Sequence, residues 1–315
     1  MEYATLGEAD GRVSRLGLGC WAIGGHGYGR TDDAESERVV QAAVDLGVDF
    51  FDTADVYGFG HSETILGRAL GPRRHDVRIA TKVGVAWNAA GGTWRDSSPK
   101  RIRSAVDDSL RRLGVEYIWL YQLHWHDGVT PIEAAIEALA QCQAAGKVRY
   151  VGCCNFGPAE IRLAMKVHPV TSAQFRYSVL HAETEGQLRE CVRGLGVGTA
   201  VYGVLGRGLL SGTLDTGTVF DDRDTRRSDD DFQGDRLSRG LHMVERLRAV
   251  GRPHGRTPAQ TAIRWALDNG DVSCVLVGAK TVEQMRENAG ALGWRLDPAE
   301  RDLLVRDFNS MLRLQ

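Results

Sequence analysis

The chain has 315 residues, of which 43% are hydrophobic and 25% are charged, as is typical of a globular protein. Its 39 Lys and Arg residues are balanced by 41 Asp and Glu residues, so no charge excess points to a nucleic acid or an anionic membrane as a partner. No run approaches the roughly 20 apolar residues of a membrane helix, and the charged N-terminus lacks the apolar core of a signal peptide. We therefore expect a cytoplasmic protein, with a single domain over residues 1–315.

The cysteine and histidine spacings argue against disulfides and metals. Six cysteines are scattered along the chain without a C-x-x-C pair, which favours reduced intracellular thiols. Nine histidines form neither an H-x-x-x-H nor an H-E-x-x-H pattern. We therefore expect a protein that holds no structural or catalytic metal.

Short apolar segments alternate with amphipathic helical patterns along nearly the whole chain. Gly11, between Leu6 and Val13, predicts a short β-hairpin ahead of the first of these segments. Near-continuous apolar runs indicate parallel strands that are buried on both faces. The eight predicted strands occupy residues 16–19, 48–53, 78–82, 117–123, 150–154, 171–175, 198–204 and 274–277.

Capping residues mark where the helices between these strands begin. A Ser, Thr or Asp side chain at such a position accepts a hydrogen bond from a free N–H group of the first turn, and proline fits the position that follows. Eight β/α repeats without a break in composition predict an α/β protein, a single (β/α)8 TIM barrel, with an open doubly wound sheet as the alternative. The predicted caps are Asp32, Ser98, Thr130, Thr257, Thr281 and Asp297.

One long segment, residues 213–239, interrupts the alternation between the seventh and eighth predicted strands. It is rich in Asp and Arg and shows no strand or helix periodicity before about Leu237. Long loops within a compact fold are usually functional or mobile. We expect this segment to pass over the carboxyl-terminal face of the barrel.

Polar residues stand at or near the ends of several predicted strands, where barrel enzymes place catalytic groups. Asp52 and Lys82 follow neighbouring strands and should pair, because an unpaired buried charge is costly. The ammonium group would lower the pKa of Tyr57 towards neutrality, and a neutral His124 could hydrogen-bond the same hydroxyl and help orient a substrate oxygen. Together they would form a general acid for an alkoxide that develops from a carbonyl. Each residue alone also fits a cap, a packing role or an ordinary ion pair.

Two glycine-containing loops at the same face suit phosphate groups. Residues 203–208 follow the seventh strand, and their glycines let backbone N–H groups approach a pyrophosphate. Residues 278–281 follow the eighth strand and end on Thr281, the cap of a helix whose positive end would favour phosphate. Either loop alone also fits an ordinary turn and cap, whereas both together favour a dinucleotide site.

Seven sequence blocks carry a resemblance to a known family. They are FFDTADVYGFGHSETILGRAL, IATKVG, YQLHWHD, VGCCNF, SAQFRYS, VYGVLGRGLLSG and VLVGAKTVEQMRENAGAL, in that order along the chain. In these blocks the chain resembles the aldo-keto reductase superfamily, from about Leu16 to Leu292. The stretches VGVAWNAAGGTW and DSLRRLGVEYIWLYQLHWHD also resemble the bacterial branch associated with inositol-catabolism operons.

The resemblance implies an NADP-dependent oxidoreductase that acts on CH–OH donors and reduces an aldehyde, a ketone or a sugar-like carbonyl to an alcohol. The matching positions make Tyr57 the general acid and Lys82 the residue that lowers its pKa. Asp52 would hold Lys82, and His124 would position the substrate carbonyl or share the proton.

The resemblance also implies a set of residues around bound NADP(H). Asn155 and Gln174 would hydrogen-bond the carboxamide, and Tyr177 would stack on the nicotinamide ring. Lys280 would meet a 2′-phosphate, which favours NADPH over NADH. The full predicted set is Cys20, Trp21, Asp52, Cys154, Asn155, Gln174, Tyr177, Tyr202, Gly203, Val204, Leu205, Gly206, Arg207, Gly208, Gly278, Ala279, Lys280, Thr281, Gln284, Glu287 and Asn288.

Two positions depart from the family pattern. Cys154 stands where relatives usually have Ser, which would weaken one contact to the carboxamide. Thr213 stands where relatives often have Lys, so the preference for NADPH depends on the remaining cations. Candidates to replace that missing cation are Arg207, Arg226 and Arg227.

Aromatic residues from the loops after the first four strands would wall the substrate pocket, which suits sugars and hydrophobic carbonyls alike. Two other functions stay open. One is a cofactor-binding regulatory subunit with vestigial catalysis, as in family members that associate with ion channels. The other is an aldolase in which Lys82 is the nucleophile that forms a Schiff base. The sequence is also compatible with a homo-oligomer. The predicted pocket residues are Tyr28, Phe59, Trp87 and Trp125.

Overall fold

The computed structural model describes the backbone of residues 1–181 and 185–313 and, within them, the side chains outside residues 185–186 and 309–313. The chain begins with a two-stranded antiparallel hairpin of β1 (Tyr3–Ala4) and β2 (Val13–Ser14). This is the hairpin that Gly11 predicts, and Gly11 has a positive φ of 80° in its loop.

Eight parallel strands close into a barrel in the order in which they occur along the chain. The last strand pairs with the first, with Val275 opposite Leu16 and Val277 opposite Leu18. Closure confirms the predicted (β/α)8 barrel and excludes the open doubly wound sheet. The barrel strands are β3 (Leu16–Gly19), β4 (Phe50–Asp52), β5 (Arg78–Val83), β8 (Ile118–Leu123), β9 (Val148–Cys154), β10 (Ser172–Arg176), β11 (Gly198–Tyr202) and β12 (Cys274–Val277). A separate antiparallel hairpin of β6 (Val85–Trp87) and β7 (Thr93–Arg95) lies between β5 and β8 along the chain.

Helices alternate with the barrel strands and cover their outer side. Asp32, Ser98, Thr257 and Thr281 each accept a hydrogen bond from the N–H group three residues further on, as predicted. The helices are α1 (Asp33–Asp45), α2 (His61–Leu70), α3 (Pro99–Leu113), α4 (Ile132–Ala144), α5 (Pro158–Val167), α6 (Glu185–Gly194), α7 (Gly234–Gly251), α8 (Pro258–Leu267), α9 (Val282–Ala289) and α10 (Pro298–Arg313). In the described residues, no helix is both long and apolar enough to cross a membrane.

The cap predicted at Thr130 is wrong. The Thr130 hydroxyl donates to Asp127 at 2.8 Å, and α4 begins at Ile132 after Pro131, which has no side-chain cap. Asp127 also accepts hydrogen bonds from the backbone N–H groups of Val129 and Thr130. The aspartate therefore organises this turn and leaves the threonine hydroxyl no part in the helix start.

The N-terminal hairpin closes the amino-terminal end of the barrel. Leu6 is fully buried in the apolar cluster inside the barrel, which also contains Phe50 and Leu120. Gly7 has φ of 56°, and a Cβ there would lie 2.2 Å from the backbone oxygen of Thr171. The hairpin loop thus contacts the barrel backbone directly, which only glycine permits.

The segment 213–239 crosses the opposite, carboxyl-terminal face. The backbone N–H and the hydroxyl of Thr225 donate to the carbonyl of Gly27 at 3.1 and 2.8 Å, which joins this segment to the loop after β3. Short 3-10 turns occupy Thr225–Ser228 and Asp230–Phe232 before α7 begins at Gly234. The predicted course over this face is therefore observed, with the helix beginning three residues earlier than the periodicity indicates.

Candidate active site

A buried ion pair joins the ends of the second and third barrel strands. Lys82 Nζ donates to Asp52 Oδ1 at 2.5 Å and to the carbonyl oxygen of Thr53 at 2.9 Å. Lys82 is fully buried, and Asp52 is 4% exposed. Burial alone would lower the pKa of Lys82, but Asp52 and then Tyr57 raise it above its ordinary value. The lysine is therefore a fixed cation.

Tyr57 lies in the loop after β4, beside this cation. A Cβ at Gly24 would lie 2.8 Å from the backbone carbon of Tyr57, so glycine allows the loops after β3 and β4 to approach. Lys82 Nζ lies 5.2 Å from the centre of the Tyr57 ring. Lys82 lowers the pKa of Tyr57, as predicted, but burial of the phenol raises it by more, so the net pKa lies above the ordinary value and not towards neutrality. The phenol is consequently protonated at neutral pH.

His124 adjoins Tyr57 at the end of β8. The two rings are 5.8 Å apart between centroids and nearly perpendicular, at 84°. Burial, and then the charge of Lys82, hold the pKa of His124 well below its ordinary value, so the imidazole is neutral. Its Nδ1 atom is buried and has no hydrogen-bond partner among the described residues. A neutral imidazole of this kind is suited to hydrogen-bond a ligand oxygen.

Two glutamine amides hold the second oxygen of Asp52. Gln174 Nε2 donates to Asp52 Oδ2 at 2.7 Å, and Gln122 Nε2 donates to the same atom at 3.2 Å. Cys154 Sγ contacts the amide oxygen of Gln174 at 3.6 Å. Gln174 therefore belongs to the hydrogen-bond network of the ion pair. Sequence reasoning missed Gln122, although its position two residues before His124 places both on one strand face.

Asn155 occupies the turn after β9 with a positive φ of 60°. Its Nδ2 donates to the carbonyl of His124 at 3.2 Å and contacts Cys154 Sγ at 3.2 Å. Its Oδ1 accepts a hydrogen bond from the Tyr202 hydroxyl at 2.7 Å. The predicted residues Asn155, Cys154 and Tyr202 are therefore brought together next to His124.

Tyr177 does not lie where a ring stacked on a nicotinamide would need to be. Its ring packs on Trp265 of α8 with centroids 4.9 Å apart, its hydroxyl accepts from Asn269, and it is 1% exposed. The predicted stacking role is wrong because Tyr177 lies three residues beyond the inward-facing Gln174 and points to the helix layer. Tyr202, at the end of the neighbouring strand, is the aromatic residue that borders Asn155.

Cys20 begins the loop after β3, where its backbone N–H group donates to the carbonyl of Asp52 at 2.8 Å, and its predicted contact with the cofactor stays a prediction. It is fully buried, and its thiol contacts the carbonyl of Leu18 at 3.7 Å. Its own carbonyl accepts a hydrogen bond from the Ser62 hydroxyl at 2.8 Å. The position of Cys20 is therefore explained by packing of the loop after β3.

A row of five rings crosses the mouth of the barrel. The centroid distances are 4.9 Å from Tyr28 to Trp21, 6.0 Å from Trp21 to Tyr57, 5.8 Å from Tyr57 to His124 and 6.4 Å from His124 to Trp125. Trp21 is 37% exposed, so this part of the row is open to solvent. Trp125 thus lies beside His124 as a pocket wall should, whereas Tyr28 lies at the far end of the row.

The other two predicted pocket residues form a second aromatic group. The rings of Phe59 and Trp87 lie 6.0 Å apart, and His26 lies 5.2 Å from Phe59. Trp87 comes from strand β6 of the small hairpin, whereas Phe59 follows Tyr57 in the same loop. The structure therefore divides the predicted pocket residues between the ring row and this second group.

Cations lie beside Tyr28, at the end of the ring row distant from Trp125. Lys280 Nζ donates to the Tyr28 carbonyl, and the Arg226 guanidinium lies 5.5 Å from the Tyr28 ring. Arg226 is paired with Asp224 at 2.6 Å, whereas Lys280 forms no ion pair with a carboxylate in the described part of the chain. Burial, and then repulsion from Arg226, lower the pKa of Lys280.

The strand-end loop 203–208 adds Arg207 to this group of cations. Arg207 has φ of 55°, and its guanidinium pairs with Asp229 of the crossing segment. Gly203, Gly206 and Gly208 also have positive φ, which brings successive backbone groups to one side of the loop. Val204 is buried, and Leu205 packs against the core, so these two contribute packing.

The loop 278–281 and the start of α9 are tied together by side-chain caps. Thr281 Oγ1 accepts from the N–H group of Gln284 at 3.3 Å, and Gln284 Oε1 accepts from the N–H group of Lys280 at 2.7 Å. Asn288 donates to the carbonyl of Gly278 at 3.3 Å, with Glu287 one position before it on α9. Ala279 is buried.

One donor of this helix start is already used. The N–H group of Val282 donates to Glu35 Oε1 at 3.1 Å. Glu35 belongs to the first turn of α1. A carboxylate therefore occupies part of the site predicted for phosphate.

The chain matches the Aldo/keto reductase family over residues 15–305. It is 34% identical over 315 residues to aldo-keto reductase YhdN of Bacillus subtilis, with 99% of this chain and 94% of that protein covered. It is 35% identical over 306 residues to aldo-keto reductase yakc of Schizosaccharomyces pombe, whose name specifies NADP(+). That match covers 95% of this chain and 89% of the relative. The glycerol dehydrogenase AKR11B4 from Gluconobacter oxydans matches with a TM-score of 0.91 and 34% identity over 98% of this chain and 96% of that one. The chain therefore belongs to the aldo-keto reductase family.

Proposed function

We propose that the protein is an NADPH-dependent oxidoreductase that reduces an aldehyde or ketone to an alcohol, with Tyr57 as the proton donor. The main support is the buried Lys82–Asp52 pair next to a protonated Tyr57 and a neutral His124. A bound nicotinamide would supply the hydride, and the residues of this chain would orient the carbonyl and deliver the proton.

Tyr57 would give its hydroxyl proton to the carbonyl oxygen as that oxygen becomes an alkoxide. The phenolic O–H bond breaks and a phenolate remains. Because Asp52 fixes the charged Lys82, the ammonium group is already in place to stabilise the phenolate without rearranging. His124 would donate a hydrogen bond to the same substrate oxygen and so orient the carbonyl.

The charge on Lys82 argues against the Schiff-base alternative. An amine that attacks a carbonyl must be neutral. Asp52 and Tyr57 instead raise the pKa of Lys82, and the amine also donates to the Thr53 carbonyl. Lys82 is therefore suited to stabilise an anion and unsuited to act as a nucleophile.

The cations beside Tyr28 fit the phosphates of NADPH. Lys280 lacks a carboxylate partner in the described residues and would meet the 2′-phosphate. Arg207 and Arg226 are already paired with aspartates of the crossing segment, so Lys280 is the main candidate. The NADP(+) in the name of the Schizosaccharomyces pombe relative supports the same cofactor.

The substrate would enter between the two aromatic groups. Trp125 would form one wall next to His124, and Phe59 with Trp87 would form another. Such walls suit the apolar faces of sugars and of other small carbonyl compounds. The glycerol dehydrogenase among the structural relatives supports a small, hydroxylated substrate.

Replacing Tyr57 tests the proposal. We expect Tyr57→Phe to lower kcat by about 10²-fold or more, because the proton donor is lost, while the Kd for NADPH stays nearly unchanged. NADPH oxidation with a panel of small aldehydes and ketones measures this. Tyr117→Phe, at an exposed position after α3, is the matched control.

Equal rates for the wild type and Tyr57→Phe would contradict Tyr57 as the proton donor. A wild type that binds NADPH but reduces none of the carbonyls would instead favour the regulatory subunit.

A further inference from the structure

Asp55 is a buried carboxylate in the Tyr57 loop that the mechanism does not use. It is fully buried, and its N–H group donates to the carbonyl of Lys82 at 3.2 Å. Its Oδ2 accepts a hydrogen bond from Arg101 Nη2 at 2.5 Å, from the first turn of α3. Asp55 therefore connects the backbone of Lys82 and the loop of Tyr57 to a residue outside the site.

Arg101 also contacts the small hairpin of β6 and β7. Its guanidinium carbon lies 4.9 Å from the centre of the Trp87 ring, a cation–π distance. Its Nη2 lies 3.4 Å from the carbonyl oxygen of Val85. One guanidinium group thus joins the Tyr57 loop, the hairpin backbone and a proposed wall of the substrate pocket.

The β6–β7 hairpin contacts the proposed pocket walls on both sides. Trp87 packs against Phe59, and Phe59 lies in the same loop as Asp55 and Tyr57. The other strand of the hairpin reaches the opposite wall, because the Arg95 guanidinium lies 4.4 Å from the Trp125 ring. Any displacement of the hairpin would therefore change the distance between the two aromatic walls.

We propose that the Asp55–Arg101 pair is a positioning device that fixes the β6–β7 hairpin, and with it Trp87, against the Tyr57 loop. Arg101 thereby sets the size of the carbonyl substrate that reaches Tyr57. The effect on substrate size rests on the proposed function. The fixing of the hairpin by Arg101 rests only on the contacts described above. Arg101 touches no reacting atom and is a positioning residue.

A second buried ion pair on the same helix provides a matched control. Arg112 Nε donates to Glu63 Oε2 at 2.6 Å, and Glu63 is fully buried, as Asp55 is. The side chains of Arg112 and Arg101 are similarly exposed, at 21% and 17%. The hydrogen-bond partners of Arg112 are Glu63 and Ser109, neither of which is in the hairpin. Loss of either arginine removes the ion-pair partner of a buried carboxylate, although Glu63 keeps a hydrogen bond from the Thr81 hydroxyl, so a purely structural role predicts lower stability for both and no change specific to the hairpin.

The experiment compares Arg101→Met, Arg101→Lys and Arg112→Met with the wild type. The readouts are Tm, the Kd for NADPH, and kcat and KM for glyceraldehyde and for the bulkier 4-nitrobenzaldehyde. We expect Arg101→Met to change the ratio of kcat/KM between the two aldehydes by about tenfold, mainly through KM, because a pocket wall is displaced. Arg101→Lys keeps the charge without the flat group over Trp87, so we expect a smaller change in the same direction.

Arg112→Met should also lower Tm, and it should leave the ratio and the Kd for NADPH unchanged. An unchanged ratio in Arg101→Met, or an equal change in Arg112→Met, would overturn the proposal.

Hydrogen–deuterium exchange separates this inference from the proposed function. We expect faster exchange at residues 85–95 in Arg101→Met and not in Arg112→Met, whether or not the protein reduces either aldehyde. A wild type that reduces no carbonyl would contradict the proposed function alone. Equal exchange at residues 85–95 in both variants would contradict the positioning role.

Discussion

Lys82 is the central charge of the site, and it acts on the pKa values of both Tyr57 and His124. It is fully buried, which lowers its pKa, but Asp52 and then Tyr57 together keep that pKa above the ordinary value. Asp52 in turn accepts hydrogen bonds from Gln122 and Gln174, so its second oxygen is also satisfied. Burial, and then the same cation, hold His124 neutral. A single buried ion pair therefore supplies both a site for negative charge and an uncharged hydrogen-bonding imidazole.

The depressed pKa of His124 predicts a loss of stability in acid. The unfolded chain protonates this histidine below about pH 6.5, whereas the folded chain does not until a much lower pH. Between those two values the unfolded state binds more protons, so the free energy of unfolding falls as the pH falls. We expect His124→Gln to lose less stability than the wild type between pH 7.5 and 5.5. Urea unfolding at the two pH values measures this.

His242→Gln is the control for this experiment, because His242 is exposed on α7. It should keep the pH dependence of the wild type. Some acid sensitivity should remain in His124→Gln, since burial also lowers the pKa of His181, to about 4. An identical pH dependence in His124→Gln and the wild type would show that the pKa of His124 is the same in the folded and the unfolded protein, which would contradict the depressed pKa.

The sequence predicts which residues meet at the site better than it predicts their electrostatics. Strand ends place Asp52, Lys82 and His124 correctly, because parallel strands in a closed barrel end at one face. The pKa of Tyr57 moves in the direction opposite to that predicted, because the extent of burial cannot be read from residue order. Tyr177 points outward for a related reason, since its direction depends on where β10 ends.

Among the elements, the loop between β12 and α9 makes the contact most relevant to the cofactor. Lys280 reaches from this loop to the Tyr28 carbonyl in the loop after β3. We expect Lys280→Met to raise the Kd for NADPH by about tenfold and to leave the Kd for NADH nearly unchanged, because only NADPH carries the 2′-phosphate. Fluorescence titration with both cofactors measures the two constants.

Lys147→Met is the matched control, because Lys147 pairs with Asp107 on the outer side of the barrel. It should leave both constants unchanged. An equal loss of NADPH and NADH affinity in Lys280→Met would mean that Lys280 stabilises the loops and does not contact the 2′-phosphate.

Short irregular elements are where sequence reasoning failed. The hairpin of β6 and β7 has three residues in each strand, too few for a period-2 pattern to be distinguished from a loop. At Thr130, two side chains compete for the same turn, and the local sequence does not show that Asp127 takes the backbone donors. Both elements depend on contacts between loops, which a periodicity along the chain cannot record.

On the scale of the whole molecule, the two ends of the barrel have separate roles. Eight long-range strand pairings were predictable because each buried strand is a nearly continuous apolar run. The polar strand ends and the crossing segment lie at the carboxyl-terminal end, whereas the N-terminal hairpin closes the other end. Changes at the closed end should therefore affect stability without affecting the site.

Gly7→Ala tests this separation. A Cβ at Gly7 would lie 2.2 Å from the backbone oxygen of Thr171 and 2.8 Å from the backbone nitrogen of Gly198, so β10 and β11 would have to shift. We expect a loss of about 2 kcal/mol or more in the free energy of unfolding, which lowers Tm by several degrees in a chain of this size. The rise in Tm caused by saturating NADP(+) should be the same as in the wild type. A ligand that binds only the folded state raises the free energy of unfolding by an amount that depends only on the ratio of its concentration to its Kd.

Gly196→Ala separates the clash from the backbone strain in this test. Gly196 has a positive φ of 68°, and nothing lies within 4 Å of a Cβ there. Alanine at that position should therefore cost only the strain of an L-residue at positive φ, about 1 kcal/mol, with a correspondingly smaller fall in Tm. If Gly7→Ala also weakened NADP(+) binding while Gly196→Ala did not, the hairpin would be coupled to the mouth through β10 and β11, and the two ends of the barrel would not be independent.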